Sequence, residues 1–296
     1  MTETDTSIAG QSDVVATPLK AALSPSRALD FMQCPLLYRF RTVDRLPQLP
    51  SAAAARGTLV HAVLERLFDV PAAERSIDAA TALLDPQWQG LLERDPELAV
   101  LSGQNLEETQ AWFADAAALV ERWFGLEDPT RLEPAERELY VEAEVDGLTL
   151  RGYVDRLDVA PTGELRVVDY KTGRSPSERF ATKALFQMKF YALVLWRTRD
   201  VVPRMLQLIY LGNSKIVRYE PDERDLLATE YKIKALWSAI ERAARTDDWR
   251  AHKTRLCNWC DHQALCPEWG GIPPPLPEHA VALALNPSEG RRRACC

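Results

Sequence analysis

Asp155, Asp169 and Lys171 are the residues in this 296-residue chain whose types and spacing carry a recognisable chemistry. In Val168-Asp169-Tyr170-Lys171 the two charged side chains stand two apart, so on an extended backbone they project from one face. They sit at the end of an apolar strand, where a core position is expected, and burying charge without a partner is costly. Asp155 lies in Gly152-Tyr153-Val154-Asp155-Arg156, and a turn at Thr162-Gly163 folds that segment back beside Asp169. Two carboxylates brought together can bind one hard divalent cation. A lysine beside them orients a water or neutralises charge that develops during attack. Together they supply what phosphodiester hydrolysis by a metal-activated water requires. A lone Asp-x-Lys would be an ordinary surface pair on an edge strand; the second carboxylate is what gives the set its chemical meaning.

The cysteines form a second constellation. Cys257, Cys260 and Cys266, followed by Pro267, make a compact three-thiolate set, and Cys34 is the one distant cysteine in a plausible structural setting. The first twenty residues lack the basic-then-apolar order of a secretory signal, so a cytoplasmic location is the default expectation. In a reducing compartment clustered cysteines favour metal ligation over disulfides. Four thiolates suit tetrahedral Zn²⁺ or an iron–sulfur cluster. Either His252 or His262 could complete a zinc site without Cys34, so spacing alone leaves both open. Cys295 and Cys296 fit no pattern and are expected as free thiols on a mobile tail.

The elements that must position these groups follow from periodicity. Residues 1–20 are small, polar and without period, and are expected to be disordered. Ser24-Pro25-Ser26 offers a helix start, and Pro35 divides the following segment into two short helices. A helix over 56–68 places Leu59, Val60, Val63, Leu64, Leu67 and Phe68 on one half of its circumference, with His61 at the margin of that arc. A lone histidine there would be a boundary residue; the carboxylates make it a candidate ligand. Residues 70–135 read as a helical insertion covering the core, strongest over 106–124. From 138 the period becomes two, predicting strands at 138–145, 148–159 and 165–171 as an antiparallel meander. A helix over 177–196, strands at 205–211 and 215–219, and a long helix over 222–245 complete the pattern. Glu142 is a weaker candidate for an auxiliary acid, because Glu138 and Glu144 share its strand face. Residues 271–296 show no core-forming pattern and are expected as a disordered tail.

The formal charge of −7 gives no support for nucleic-acid binding by bulk electrostatics, so such binding needs a local basic patch or metal ions. Arg39, Arg41, Arg45, Arg174, Arg179, Lys183 and Lys189 could line one, although each reads equally as a solvated helical residue. No stretch is long and apolar enough to predict a membrane span.

Gly152-Tyr153-Val154-Asp155-Arg156-Leu157-Asp158, Asp169-Tyr170-Lys171-Thr172-Gly173 and Gln187-Met188-Lys189-Phe190-Tyr191 together resemble the RecB-type branch of the PD-(D/E)xK nuclease superfamily. Gly57-Thr58-Leu59-Val60-His61 is similar to that branch's histidine motif, and Ser24-Pro25-Ser26 with Cys34-Pro35 to its N-terminal block. The resemblance runs from Ser24 to Pro267. It implies an α/β fold of restriction-endonuclease type, a central mixed sheet flanked by helices, with the nuclease domain over 21–270. It implies His61, Asp155, Asp169 and the Tyr170 carbonyl as ligands of Mg²⁺ or Mn²⁺, Lys171 as the catalytic lysine, and Gln187 and Tyr191 as contacts to the active site or to DNA. One early cysteine with a late Cys-x2-Cys-x5-Cys is similar to the iron–sulfur staple of AddB-type and CRISPR-adaptation nucleases. That implies a [4Fe–4S] clasp on Cys34, Cys257, Cys260 and Cys266, joining the N-terminal helices to the 257–266 segment. The implied function is metal-dependent hydrolysis of DNA, exonucleolytic and largely sequence-independent, in recombination, repair or end processing. The alternative is an inactive nuclease fold that grips DNA beside a helicase or repair partner. No Gly-x4-Gly-Lys-Ser/Thr loop occurs in the sequence, so any unwinding would fall to a partner.

Overall fold

The computed structural model describes residues 21–176 and 181–286. The chain opens with β1 (Ala22–Leu23), α1 (Pro25–Gln33) and α2 (Pro35–Tyr38), then a π-helical turn over Arg39–Val43. Pro35 separates the two helices as expected: Cys34 before it is pushed out of the helical region, to φ −165 and ψ 116. Ser24 occupies the N-cap position of α1 but its hydroxyl pairs with Ser26 instead of capping. Next come α3 (Ala52–Leu67), α4 (Ile77–Ala82), α5 (Leu84–Arg94) and α6 (Leu106–Phe124). The strands β2 (Glu136–Val145), β3 (Leu148–Val159) and β4 (Leu165–Lys171) follow, then α7 (Ala181–Arg199), β5 (Met205–Tyr210), β6 (Lys215–Tyr219), α8 (Glu223–Thr246) and α9 (Ala280–Leu285).

The sheet is mixed. Asp146 and Gly147, at φ 50 and 79, make the two-residue turn that a tight β2–β3 hairpin needs. β3 and β4 are antiparallel, β5 joins β4 in parallel by way of α7, and β6 closes antiparallel to β5. One edge of β3 is shared. β1 runs parallel to Thr149 and Leu150 at one end, while β4 pairs with Arg156 to Val159 at the other. Among the described residues, 151–155 have no strand partner on that edge.

Alternate residues feed two cores, as strand geometry dictates. Leu165, Val167, Leu206 and Leu208 pack toward α1, α7 and α8. Val168, Tyr170 and Ile209 pack toward α3 and the insertion, against Leu59, Leu64, Trp88, Trp112 and Trp123. The helices of 70–135 therefore build half of the α3-side core rather than only covering a finished one. No described helix is long and apolar enough to cross a membrane.

The expected disorder of the segment from 271 onward is corrected for 271–286. Ala284 of α9 is fully buried, its carbonyl accepts from Tyr38 Oη at 2.6 Å, and Arg39 donates to the Pro274 carbonyl. A small alanine lets α9 approach Tyr38, whose ring stacks on Trp249 with centroids 6.0 Å apart. Residues 1–20, Arg179, Cys295 and Cys296 lie outside the described residues, and with them the expectations placed there.

Candidate active site

The β3–β4 ladder ends at Arg156 opposite Val168, and one further step of the same register sets Asp155 opposite Asp169. Beyond that end the Tyr170 amide has no β3 carbonyl to use and donates to Asp155 Oδ2 at 2.8 Å. The strand also changes face here. Val154 and Leu157, three residues apart, both pack into the α7-side core, so the alternation slips by one across Asp155. On the other side, the β2–β3 ladder between Glu136 and Val145 skips only Glu138, which has φ 45. This kink turns Asp155 toward α3, where His61 Nδ1 lies 3.5 Å from Asp155 Oδ2. α3 holds the imidazole there because Ser51 caps it and Leu59, Val60, Val63 and Leu64 are buried beneath. His61, Glu138 and Asp155 each offer a ligand atom, all within 4.8 Å of one another.

Asp169 and Lys171 form the other half of the pocket. Asp169 is 2% exposed, and its Oδ2 meets Lys171 Nζ at 2.8 Å without satisfying hydrogen-bond geometry. Lys171 Nζ also donates to Gln187 Oε1 at 3.2 Å, and Gln187 Nε2 reaches Asp169 Oδ1 at 3.2 Å and Tyr191 Oη at 3.3 Å. Gln187 and Tyr191 share one face of α7, four apart. The Tyr191 ring rests on Gly152, where an added Cβ would come within 2.7 Å of Cε1.

Burial, above all, pushes the Asp155 carboxyl up to about 6; the Asp169 charge adds to this, while His61, Lys171 and the Tyr170 amide oppose it. Burial works against the Lys171 charge, but Asp169 and then Asp155 outweigh it and hold the ammonium above its usual range. It stays a cation through neutral pH, which suits it to fixing charge and not to removing a proton. Behind the pocket, Arg156 donates to Tyr170 Oη at 2.6 Å and to both Glu127 oxygens at 2.8 Å. Glu127 accepts further from Trp123 and Gln207, so the end of α6 is riveted to the strands that carry the acids.

The structure thus brings His61, Asp155, Tyr170, Asp169, Lys171, Gln187 and Tyr191 into one place. An imidazole and oxygen donors converging beside a half-satisfied buried carboxylate fit a divalent cation. The sequence reading missed Glu138. The signal was available, because counting back from the Asp146-Gly147 turn sets residue 138 opposite Asp155. Glu142 stands apart, exposed and bonded to the Tyr140 hydroxyl at 2.5 Å. Several of the basic candidates are engaged elsewhere. Arg39 is buried against Asp44, Arg41 pairs with Asp30 at 2.7 Å, and Lys189 binds Tyr219 and Asp225. Lys183 reaches Gln33, whereas Arg45 and Arg174 are exposed.

Cys34, Cys257, Cys260 and Cys266 line a single recess, together with His252 and Thr254. The His252 amide donates to Cys34 Sγ at 3.3 Å and the Thr254 amide to Cys257 Sγ at 3.2 Å. Burial raises the Cys266 thiol, and the other three sulfurs raise it further. His262 is buried edge-on to Phe40 instead, with ring centroids 5.4 Å apart. Among the described residues, no three of these sulfurs approach within 4.8 Å of one another as the His61 group does.

The sequence profile of the PD-(D/E)XK nuclease superfamily matches residues 22–267. The Gene 69 protein of Mycobacterium phage D29 is 31% identical over 281 residues, covering 85% of this chain and 98% of the phage protein. The Gene 69 protein of Mycobacterium phage L5 is 27% identical over 285 residues, covering 82% and 95%. Among solved structures, a candidate exonuclease from Eubacterium rectale superposes with a TM-score of 0.52 at 12% identity, over 86% of this chain and 94% of that one. That likeness concerns the fold.

Proposed function

Because the chain belongs to the PD-(D/E)XK nuclease superfamily, we propose that it is a divalent-metal-dependent deoxyribonuclease of the RecB-type branch, acting on DNA ends. The observation that carries this reading is the pocket in which Asp155 and Asp169 stand on adjacent strands, with Lys171 paired and Gln187 hydrogen-bonded to the second acid and His61 against the first. His61, Asp155, Asp169 and the Tyr170 carbonyl would hold Mg²⁺ or Mn²⁺. When bound, the cation supplies Lewis acidity to a phosphoryl oxygen and acidifies a water. The chain's own residues do the rest. Lys171 neutralises charge and orients the attacking oxygen, Gln187 fixes Lys171 relative to Asp169, and Tyr191 holds Gln187 on its helix. The order is direct attack by water, with no covalent enzyme intermediate.

Exonucleolytic action is favoured by the fold likeness to the candidate exonuclease, and a place in recombination, repair or end processing by the chemistry of ends. Any unwinding would come from a helicase partner. For the cysteines we assign a [4Fe–4S] cluster with a structural role. Tetrahedral zinc with 2.3 Å bonds would hold all four sulfurs roughly 3.8 Å apart, whereas among the described residues no three of them stand within 4.8 Å of one another. Amide donation to Cys34 and Cys257 suits thiolates at the edge of a cluster.

The test is cleavage of single- and double-stranded DNA with Mg²⁺ or Mn²⁺, comparing wild type with Asp169→Ala. The variant should stay folded and lose hydrolysis by at least about a thousandfold. Equal cutting by both proteins overturns the assignment. DNA binding without cutting by the wild type would point to the inactive module instead.

A further inference from the structure

Glu138 is a carboxylate that the motif resemblance leaves out, and the fold treats it unlike any other residue of β2. It has φ 45 inside a strand and is skipped by the ladder that pairs its neighbours on both sides. A non-glycine residue in the left-handed region is strained, and such strain persists where surrounding structure holds it, which is often at a ligand site. Independently of its backbone, Glu138 offers an oxygen within 4.8 Å of a His61 nitrogen and an Asp155 oxygen. It lines the recess between α3 and the β2–β3 hairpin together with those two residues, Glu65 and Tyr170.

Resting on the nuclease reading of this pocket, we propose that Glu138 is a direct ligand of the ion held by His61 and Asp155. Glu138 then adds β2 to the elements α3, β3 and β4 that hold the ion. Asp169 and the Tyr170 carbonyl complete the ligand set from β4, Asp169 keeping its engagement with Lys171 and Gln187. An imidazole nitrogen among carboxylate ligands favours Mn²⁺ over Mg²⁺. In this arrangement the left-handed backbone at Glu138 is the device that swings a strand carboxylate toward a helix.

The experiment is Mn²⁺ binding to the full chain by calorimetry, for wild type, Glu138→Gln and Glu142→Gln. Glu138→Gln should bind Mn²⁺ at least about tenfold more weakly, as loss of even an outer-shell partner does, and Glu142→Gln should match wild type. A second variant, Glu138→Gly, separates ligation from structure. Glycine accepts the positive φ without strain, so the metal-free variant should stay folded while its Mn²⁺-induced rise in Tm shrinks. Wild-type Mn²⁺ affinity in Glu138→Gln, or an undiminished Mn²⁺-induced rise in Tm in Glu138→Gly, overturns the proposal and leaves the nuclease reading standing. A wild-type chain that binds no Mn²⁺ takes both down.

Discussion

Asp155 burdens the protein while no cation is bound. Its carboxyl, at 3.8 in an open chain, is pushed up to about 6 in the fold, mainly by burial. Between those values the folded protein keeps a proton that the unfolded one has released, so raising the pH through this window removes stability. Asp155→Asn abolishes the ionisation but can still accept from the Tyr170 amide. The metal-free variant should therefore be more stable than wild type above about pH 6, by roughly 1–3 kcal/mol, with the advantage fading toward pH 4. Urea melts of both proteins across that range check this, and a difference that ignores pH would refute it. Single residues were unevenly legible. Asp155, Asp169 and Lys171 could be placed because the two-residue period and the Thr162-Gly163 turn fix their faces and register. Glu138 was passed over although the hairpin register sets it opposite Asp155, because the left-handed backbone that brings it beside His61 is not written in the residue types.

At the scale of elements, Gly152 sets how closely α7 and α1 lie on β3. A Cβ there would stand 2.7 Å from Tyr191 Cε1 and 3.4 Å from Pro25 Cδ. Gly152→Ala must lift the ring and with it the Tyr191–Gln187 bond. Thermal denaturation should show a loss of about 1–3 kcal/mol, as for other overpacked sites. Cleavage measured well below the melting temperature should fall as well, because Gln187 loses its support. Unchanged cleavage would detach Tyr191 from the active site. Most elements were visible beforehand for a plain reason: α3, α6 and β2 each bury one face and write their period into the sequence, while β4 and β5, buried on both faces, show as short apolar runs. α9 escaped notice because six small apolar residues have no face of their own. Its partner Tyr38 is 246 positions away.

For the molecule as a whole, the cysteine recess joins segments far apart in the chain, from residue 34 to residue 257. Closing a loop of that length is worth up to about 5 kcal/mol by chain entropy. A native preparation should show a broad brown absorbance, and Cys34→Ser should lose it. Hydrogen exchange in the variant should rise in α1, α2 and residues 252–269, while α3 to α6 stay protected by their separate core. Colourless anaerobic protein containing zinc would reject the cluster, and unchanged exchange would reject the clasp. The ends also meet where α9 docks on Tyr38, so losing the cluster should loosen that region without unfolding it. The sheet itself holds a further consequence, at the stretch of β3 flanked by β1 and β4. Two more residues of strand after Leu23 would begin to zip over 151–155 and smother the pocket with backbone hydrogen bonds. Pro25 forbids this, since it has no amide hydrogen to give and its ring already turns the chain into α1. An open seam in the weave, kept from healing by one imino acid, leaves the stretch of β3 that ends at Asp155 without a strand laid over it on that edge.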